Sequence, residues 1–193
     1  MATEELELVR RHRDGDPTAL EEIYAEHARS VWGFARHLTG SPETADEVLQ
    51  ETFLRAANGL ARFRSDASLR TWLLSITRRA AADYGRSLRR RGREVPLDGQ
   101  LDRGFEPVEP DAGADPGRRA ERQELMDQMR QAIASLPDAE RTCLVLCELQ
   151  SLSSREAAGA TGFSESKVKV SVFRARRRLR AMLARHVDGT GPM

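Results

Sequence analysis

Apolar residues recur along this chain at the three- and four-residue spacing of a helix face, and no stretch alternates as a strand would. From Asp16-Pro17 the period runs through Leu20, Ile23, Tyr24, Val31, Phe34, Ala35 and Leu38 to Thr39-Gly40. Asp16 is placed to cap this helix and Pro17 to fill its first turn. Ser41-Pro42 opens a second helix in the same way, with Ala45, Val48, Leu49, Thr52, Phe53 and Ala56 on its apolar side. A third begins near Ser68 and turns Leu69, Trp72, Leu73, Ile76 and Ala80 inward. The pattern resumes at Arg118 with Leu125, Met129, Ile133 and Leu136 inward. Pro137, followed by Asp138 and Glu140, then starts a helix through TCLVLCEL.

The stretch from Leu152 to Leu183 predicts two helices joined by a tight turn. Ser153 and Glu156 have capping-box spacing, Gly162 supplies the turn, and Ser164 caps the next helix. On that helix Val168, Val172, Ala175, Leu179 and Leu183 form one apolar stripe. Lys167, Arg174 and Arg178 flank it on one side, and Lys169, Arg176 and Arg180 on the other. Ser166, Val170, Phe173 and Arg177 lie opposite. An apolar spine between basic edges suits a recognition helix in the DNA major groove.

Residues 94–117 hold four prolines and four glycines and show no period. The expected fold is therefore all-α: two small helical domains, 1–93 and 118–186, joined by a flexible acidic linker at 94–117. The second domain is a helix-turn-helix, and residues 187–193 are expected to form a short, polar, disordered tail. Charge follows the same divisions beneath a net +1. Residues 1–60 carry 6 basic and 12 acidic groups, whereas 61–93 carry 10 and 2. The linker carries 1 and 7, and residues 164–193 carry 8 and 2. Two basic blocks around an acidic spacer predict two nucleic-acid contacts and a cationic partner for the acidic parts.

Catalysis is not expected. His12, His27, His37 and His186 are scattered, and the chain carries no phosphate loop, nucleophile motif or metal triad. His27 is expected to be a helix residue at the core boundary, with no cofactor and no metal. Cys143 and Cys147 share one helical face and are expected to serve as small core residues. No apolar run approaches the roughly 20 residues of a membrane span, and the N-terminus lacks an apolar signal segment, so a cytoplasmic protein is expected.

Three segments together carry a family resemblance. ETADEVLQETFLRA, FRSDASLRTWLLSITRRAAADYGRS and SLPDAERTCLVLCELQSLSSREAAGATGFSESKVKVSVFRARRRL resemble, in order and spacing, the extracytoplasmic-function sigma factors of bacterial RNA polymerase. The resemblance implies that the first domain binds core polymerase and melts the −10 element, while the second reads the −35 duplex. It also implies an anti-sigma factor as a further partner, and a linker that occupies the polymerase cleft and RNA exit path.

The polar face of Asp46, Glu47, Gln50 and Glu51, with Leu54 alone among the acids, is expected to meet the clamp helices of the large polymerase subunit. For the melted −10 strand, Arg62 and Arg64 offer cations, and Asn58, Ser65, Asp66 and Ser68 offer hydrogen bonds to a base edge. Phe63 either stacks on a base or closes the core beneath the loop. Arg78, Arg79 and Arg86 suit nearby phosphates. For the −35 element the candidates are Ser164, Ser166, Lys167, Lys169, Val170, Phe173, Arg174, Arg177 and Arg178, with Val170 and Phe173 toward thymine methyls or sugars. Phe173 has a second reading, contact with an anti-sigma protein or a neighbouring helix. The family commonly has Thr-Val-Lys-Ser-Arg where this chain has Lys167-Val168-Lys169-Val170-Ser171, so its own promoter preference is expected there. The rival function is a stand-alone helix-turn-helix regulator, which leaves the acidic face, the FRSDASLRTW loop and the linker without roles.

Overall fold

A computed structural model describes residues 2–90 and 116–187, all of whose regular structure is helical. The linker falls almost wholly outside the described residues, as does the tail after Val187. Helix α1 spans Ala2–Arg13, α2 Pro17–Thr39 and α3 Pro42–Gly59; a 3-10 turn, Leu60–Arg62, leads toward α4, Leu69–Arg90. The second group is α5, Pro116–Ala134, α6, Asp138–Leu144, α7, Ser154–Thr161, and α8, Glu165–Val187.

The first group has four helices where periodicity predicts three. Helix α1 carries few apolar residues among its charges, so its face is faint in the sequence. Val9 is nevertheless 2% exposed, packed with Ile23, Phe53, Leu60 and Leu73 in one core. Glu4 and Glu5 in its first turn and Arg10 to Arg13 in its last complement the helix dipole. Arg11 then pins the turn into α2 through Asp16 and Glu22, each at 2.8 Å. Asp16 accepts from the Thr18 amide at 2.9 Å, and Ser41 from the Thr44 amide at 3.2 Å, so both predicted caps form.

In the second group, Leu125 departs from expectation: it is 57% exposed, because the core reaches α5 only from Met129 onward, through Ile133 and Leu136. Helix α6 runs on into a π-helical turn, Val145–Leu149, for which the sequence offers no signal. Cys143 is buried and Cys147 half-buried, both as free thiols whose pKa burial pushes up.

The two groups pack against each other. Phe34 of α2 and Leu74 of α4 share a core with Leu146, Ala157, Val168 and Val172. A polar clasp adds to that contact. Gln150 Oε1 accepts from Ser30 Oγ and from the Arg70 guanidinium, both at 2.7 Å, and Gln150 Nε2 donates to the Ser30 carbonyl at 3.3 Å. Because Gln150 is buried, these bonds satisfy groups that would otherwise be stranded away from water.

Candidate nucleic-acid interface

Helix α8 is built by local chemistry. Ser153 Oγ accepts from the Glu156 amide at 3.2 Å while Glu156 accepts from the Ser153 amide at 2.8 Å, closing the capping box on α7. Gly162 takes the left-handed conformation at φ 75° that the turn requires. Ser164 Oγ accepts from the Lys167 amide at 3.2 Å, so this candidate side chain serves first as the α8 cap. Val168 and Ala175 are fully buried and hold the stripe down, while Ser166, Lys167, Lys169, Val170, Phe173, Arg174 and Arg177 face solvent.

The cations on this surface are not equivalent. Lys167 sits 3.7 Å over the Phe163 ring, and Lys169 pairs with Glu165 at 2.8 Å. Arg178 is tied to Glu140 of α6 at 2.9 Å, and Arg176 to Glu148 at 2.5 Å, so both also brace the domain. Arg174 and Arg177 form no ion pair among the described residues. Val170 and Phe173 share this exposed face, the latter 65% exposed. A phenyl ring this exposed amid cations is an unusual use of apolar surface.

The second surface is the loop after α3. Gly59 is required there, since a Cβ would sit 2.9 Å from the Trp72 ring. Phe63 is 7% exposed with its ring centroid 5.2 Å from that of Trp72, which makes it the loop's core anchor and removes its face from solvent. Arg62, Arg64, Ser65, Asp66 and Ser68 are exposed around that anchor. Ser65 holds a left-handed φ of 60°, strained for a non-glycine residue. Ser68 Oγ accepts from the Thr71 amide at 3.1 Å and so caps α4. Asn58 is exposed and donates to the Leu54 carbonyl at 2.9 Å.

An open cleft of about 560 Å³ lies here, lined by Arg13, Ala61, Arg62, Phe63, Arg64 and Ser65. Arg13 comes from α1 and was missed by sequence reasoning. It donates to the Phe63 carbonyl at 2.5 Å and the Leu60 carbonyl at 3.3 Å, so it both shapes the loop and adds a cation to the cleft. His12 approaches the Ala57 carbonyl at 3.3 Å beside it.

Arg79 and Arg86 are exposed on α4, and Arg86 pairs with Asp83. Arg78 is different. It is half-buried near Cys143 of the second group, its Nε without a hydrogen-bond partner, and burial pushes its pKa down.

The acidic face of α3 is solvent-exposed, with Leu54 61% exposed in its midst. Asp46 accepts from the Trp32 indole at 2.8 Å, and Glu51 accepts from Arg55 at 2.7 Å. Glu47, Gln50 and Leu54 are all exposed on this face. Among the described residues no helix is long and apolar enough to cross a membrane.

Comparison with known proteins gives the same two-part division. The family model of sigma-70 region 2 matches residues 23–91, and that of sigma-70 region 4 matches residues 126–179. The chain is 35% identical over 162 residues to the ECF RNA polymerase sigma factor SigC of Mycobacterium tuberculosis (strain CDC 1551 / Oshkosh), covering 84% of this chain and 82% of that relative. It is 30% identical over 171 residues to RNA polymerase sigma factor YlaC of Bacillus subtilis (strain 168), covering 88% and 92%. Among solved structures, CnrH in complex with the cytosolic domain of CnrY matches with a TM-score of 0.68 and 25% identity, over 93% of this chain and 97% of that one. The sigma factor RpoE of Bartonella quintana, in complex with the anti-sigma factor NepR, shares the fold with a TM-score of 0.63 and 22% identity, over 85% and 96%.

Proposed function

The chain belongs to the extracytoplasmic-function group of sigma-70 family RNA polymerase sigma factors, and from that premise we propose how its surfaces divide the work of starting transcription. Residues 1–93 bind core polymerase and the melted −10 element, 94–117 act as an acidic linker, and 118–186 read the −35 duplex.

Glu47, Gln50 and Leu54, supported by Asp46 and Glu51, dock on the clamp helices of the large polymerase subunit. A single apolar residue ringed by carboxylates matches a partner with an apolar pocket and a basic rim. The loop takes the melted strand. Arg13, Arg62 and Arg64 hold its phosphates, and the cleft above Phe63 receives an unstacked base whose edge Ser65, Asp66 and Asn58 read. Arg79 and Arg86 follow the backbone along α4, and Arg78 joins them once the two helical groups part.

Helix α8 enters the major groove with Ser166, Val170, Phe173 and Arg177 toward the bases, and Lys167, Lys169 and Arg174 toward guanines or phosphates. In these roles Ser68 and Ser164 act chiefly by fixing the ends of their helices. A protein antagonist of the anti-sigma kind is a further partner, for which the exposed Phe173 offers an anchor. All of these events belong in the bacterial cytoplasm.

The observation that carries this reading is the pair of solvent-facing basic surfaces on two helical groups of one chain, a loop beside a cleft and a helix face. A stand-alone regulator has use for only the second. The deciding experiment adds purified chain to core polymerase on a promoter carrying −35 and −10 elements and measures run-off transcript. Transcript that depends on both elements, with weak duplex binding by the chain alone, is expected, because each small contact gains from tethering to polymerase. Tight sequence-specific duplex binding by the free chain at physiological salt, with no transcript, would establish the regulator instead.

A further inference from the structure

We propose that Glu5, Glu26 and His27 form a binding site for one divalent transition-metal cation of the zinc class, clipping α1 to α2. One donor atom from each of the three residues lies within 4.8 Å of the other two. His27 is 4% exposed, and its Nε2 is buried without a hydrogen-bond partner. Buried polar atoms in folded proteins are almost always satisfied, so an orphaned ring nitrogen facing two carboxylates asks for a ligand. The nearest carboxylate oxygen, on Glu26, stands 4.0 Å away, too far for a hydrogen bond.

The donor set suits the proposed ion. One imidazole and two carboxylates are borderline nitrogen and oxygen donors, preferred by zinc and its first-row neighbours over magnesium or calcium. Glu26 is exposed and Glu5 half-buried, so modest side-chain rotations bring their oxygens to the roughly 2.0–2.2 Å that zinc requires. Water completes a four-coordinate shell.

The surroundings support the ligands and balance the charge. Glu5 already accepts from the Leu69 amide at the start of α4 at 3.2 Å, which orients its carboxylate and leaves the second oxygen for the ion. The Arg70 guanidinium nearby donates to Ser30 Oγ at 3.2 Å and to Gln150 Oε1 at 2.7 Å. Two carboxylates and a dication make a neutral cluster there. Bound metal would cross-link α1 and α2 and, through Glu5, hold the first turn of α4.

The test uses the full-length chain stripped with a chelator and titrated with zinc chloride by calorimetry, alongside thermal unfolding. A Cys147→Ser background removes the half-buried thiol as a competitor. One zinc ion per chain and a rise in melting temperature are expected, with magnesium giving neither. Glu5→Gln and Glu26→Gln keep the size of each side chain and an oxygen that can accept a hydrogen bond, so the metal-free fold should stay intact; each should weaken zinc binding roughly tenfold or more. His27→Gln should abolish it, and if that variant fails to fold, the two glutamate variants decide alone. Absence of saturable binding at micromolar zinc, or binding that both glutamate variants leave unchanged, overturns the site.

Discussion

The loop at residues 60–68 and helix α8 both present polar side chains to solvent, but they are held there by different means. The loop keeps its shape through long-range contacts: the Phe63 ring against Trp72, and Arg13 reaching back from α1 to the Leu60 and Phe63 carbonyls. Helix α8 keeps its shape through neighbours in sequence, with Ser164 capping its start and Gly162 turning the chain just before it. The difference fits the two proposed ligands. A duplex groove is a fixed shape that a preformed helix can match. A melted strand is flexible, and its reader must supply the pocket itself. The loop should therefore fail when the first group is weakened anywhere, while the helix should fail through damage to the second group.

The sharpest way to separate them is Phe63→Ala. Removing a buried ring from the contact with Trp72 should cost about 3 kcal/mol in chemical denaturation. Promoter opening by the reconstituted polymerase should fall with it, while binding of the −35 duplex persists. Equal loss of both activities would show that the loop and helix are not independently held.

Acid offers a second separation, at the junction of the two groups. His37 of α2 has its pKa pushed down to about 4, first by loss of water around it and then by Arg36, Arg130 and Arg141. A histidine that is neutral when folded and titrates near 6.5 when unfolded leaves stability undiminished above about pH 6.5. Stability is then lost as pH falls toward 4, because the unfolded chain binds the extra proton. His37 is partly exposed, so the loss over that window is about 2 kcal/mol rather than the full value of the shift. His37→Asn should flatten most of this slope in denaturation midpoints measured between pH 7 and 5. His27 contributes in the same direction and should leave a remainder. A variant as acid-sensitive as the parent would place the sensitivity elsewhere.

The self-held character of the helix-turn-helix can be challenged at its first cap. Ser153→Ala removes one half of the capping box and should cost about 1 kcal/mol. The loss should reduce −35 binding in proportion to unfolding of the second group and leave single-strand binding by the first untouched. Parallel loss of single-strand binding would mean that the α4–α7 contact transmits the damage.

The same contrast governs what could be read from sequence. Caps at Asp16, Ser41, Ser153 and Ser164 need only residues two or three apart, and all four were legible. The buried stripe of α8 was legible for the same reason, as was the exposed outer face with Val170 and Phe173. Helix α1 was not, since Leu8 and Val9 anchor a face otherwise diluted by charge. Everything that α1 brings was therefore missed too: Arg13 in the cleft, and Glu5 beside a histidine read as a plain core-boundary residue. The Gln150 clasp joins residues 120 positions apart, a pairing no local period encodes. Leu125 erred in the other direction, because a periodic leucine is buried only where a neighbour arrives to cover it.

Phe173 is where the smallest effect on stability should accompany a large effect on function. Its ring is 65% exposed, so Phe173→Ala should change unfolding free energy by no more than about 0.5 kcal/mol. Burying that ring against thymine methyls or deoxyribose would instead be worth about 1–3 kcal/mol in the complex, or roughly ten- to a hundredfold in −35 affinity. Duplex binding by the polymerase-bound chain is the measurement to make, with co-purification of an anti-sigma partner as its counterpart. If −35 recognition stays whole while partner binding is lost, the ring belongs to the antagonist. The exposed face of α8 would then be divided, with Val170 and Arg177 left to read the bases.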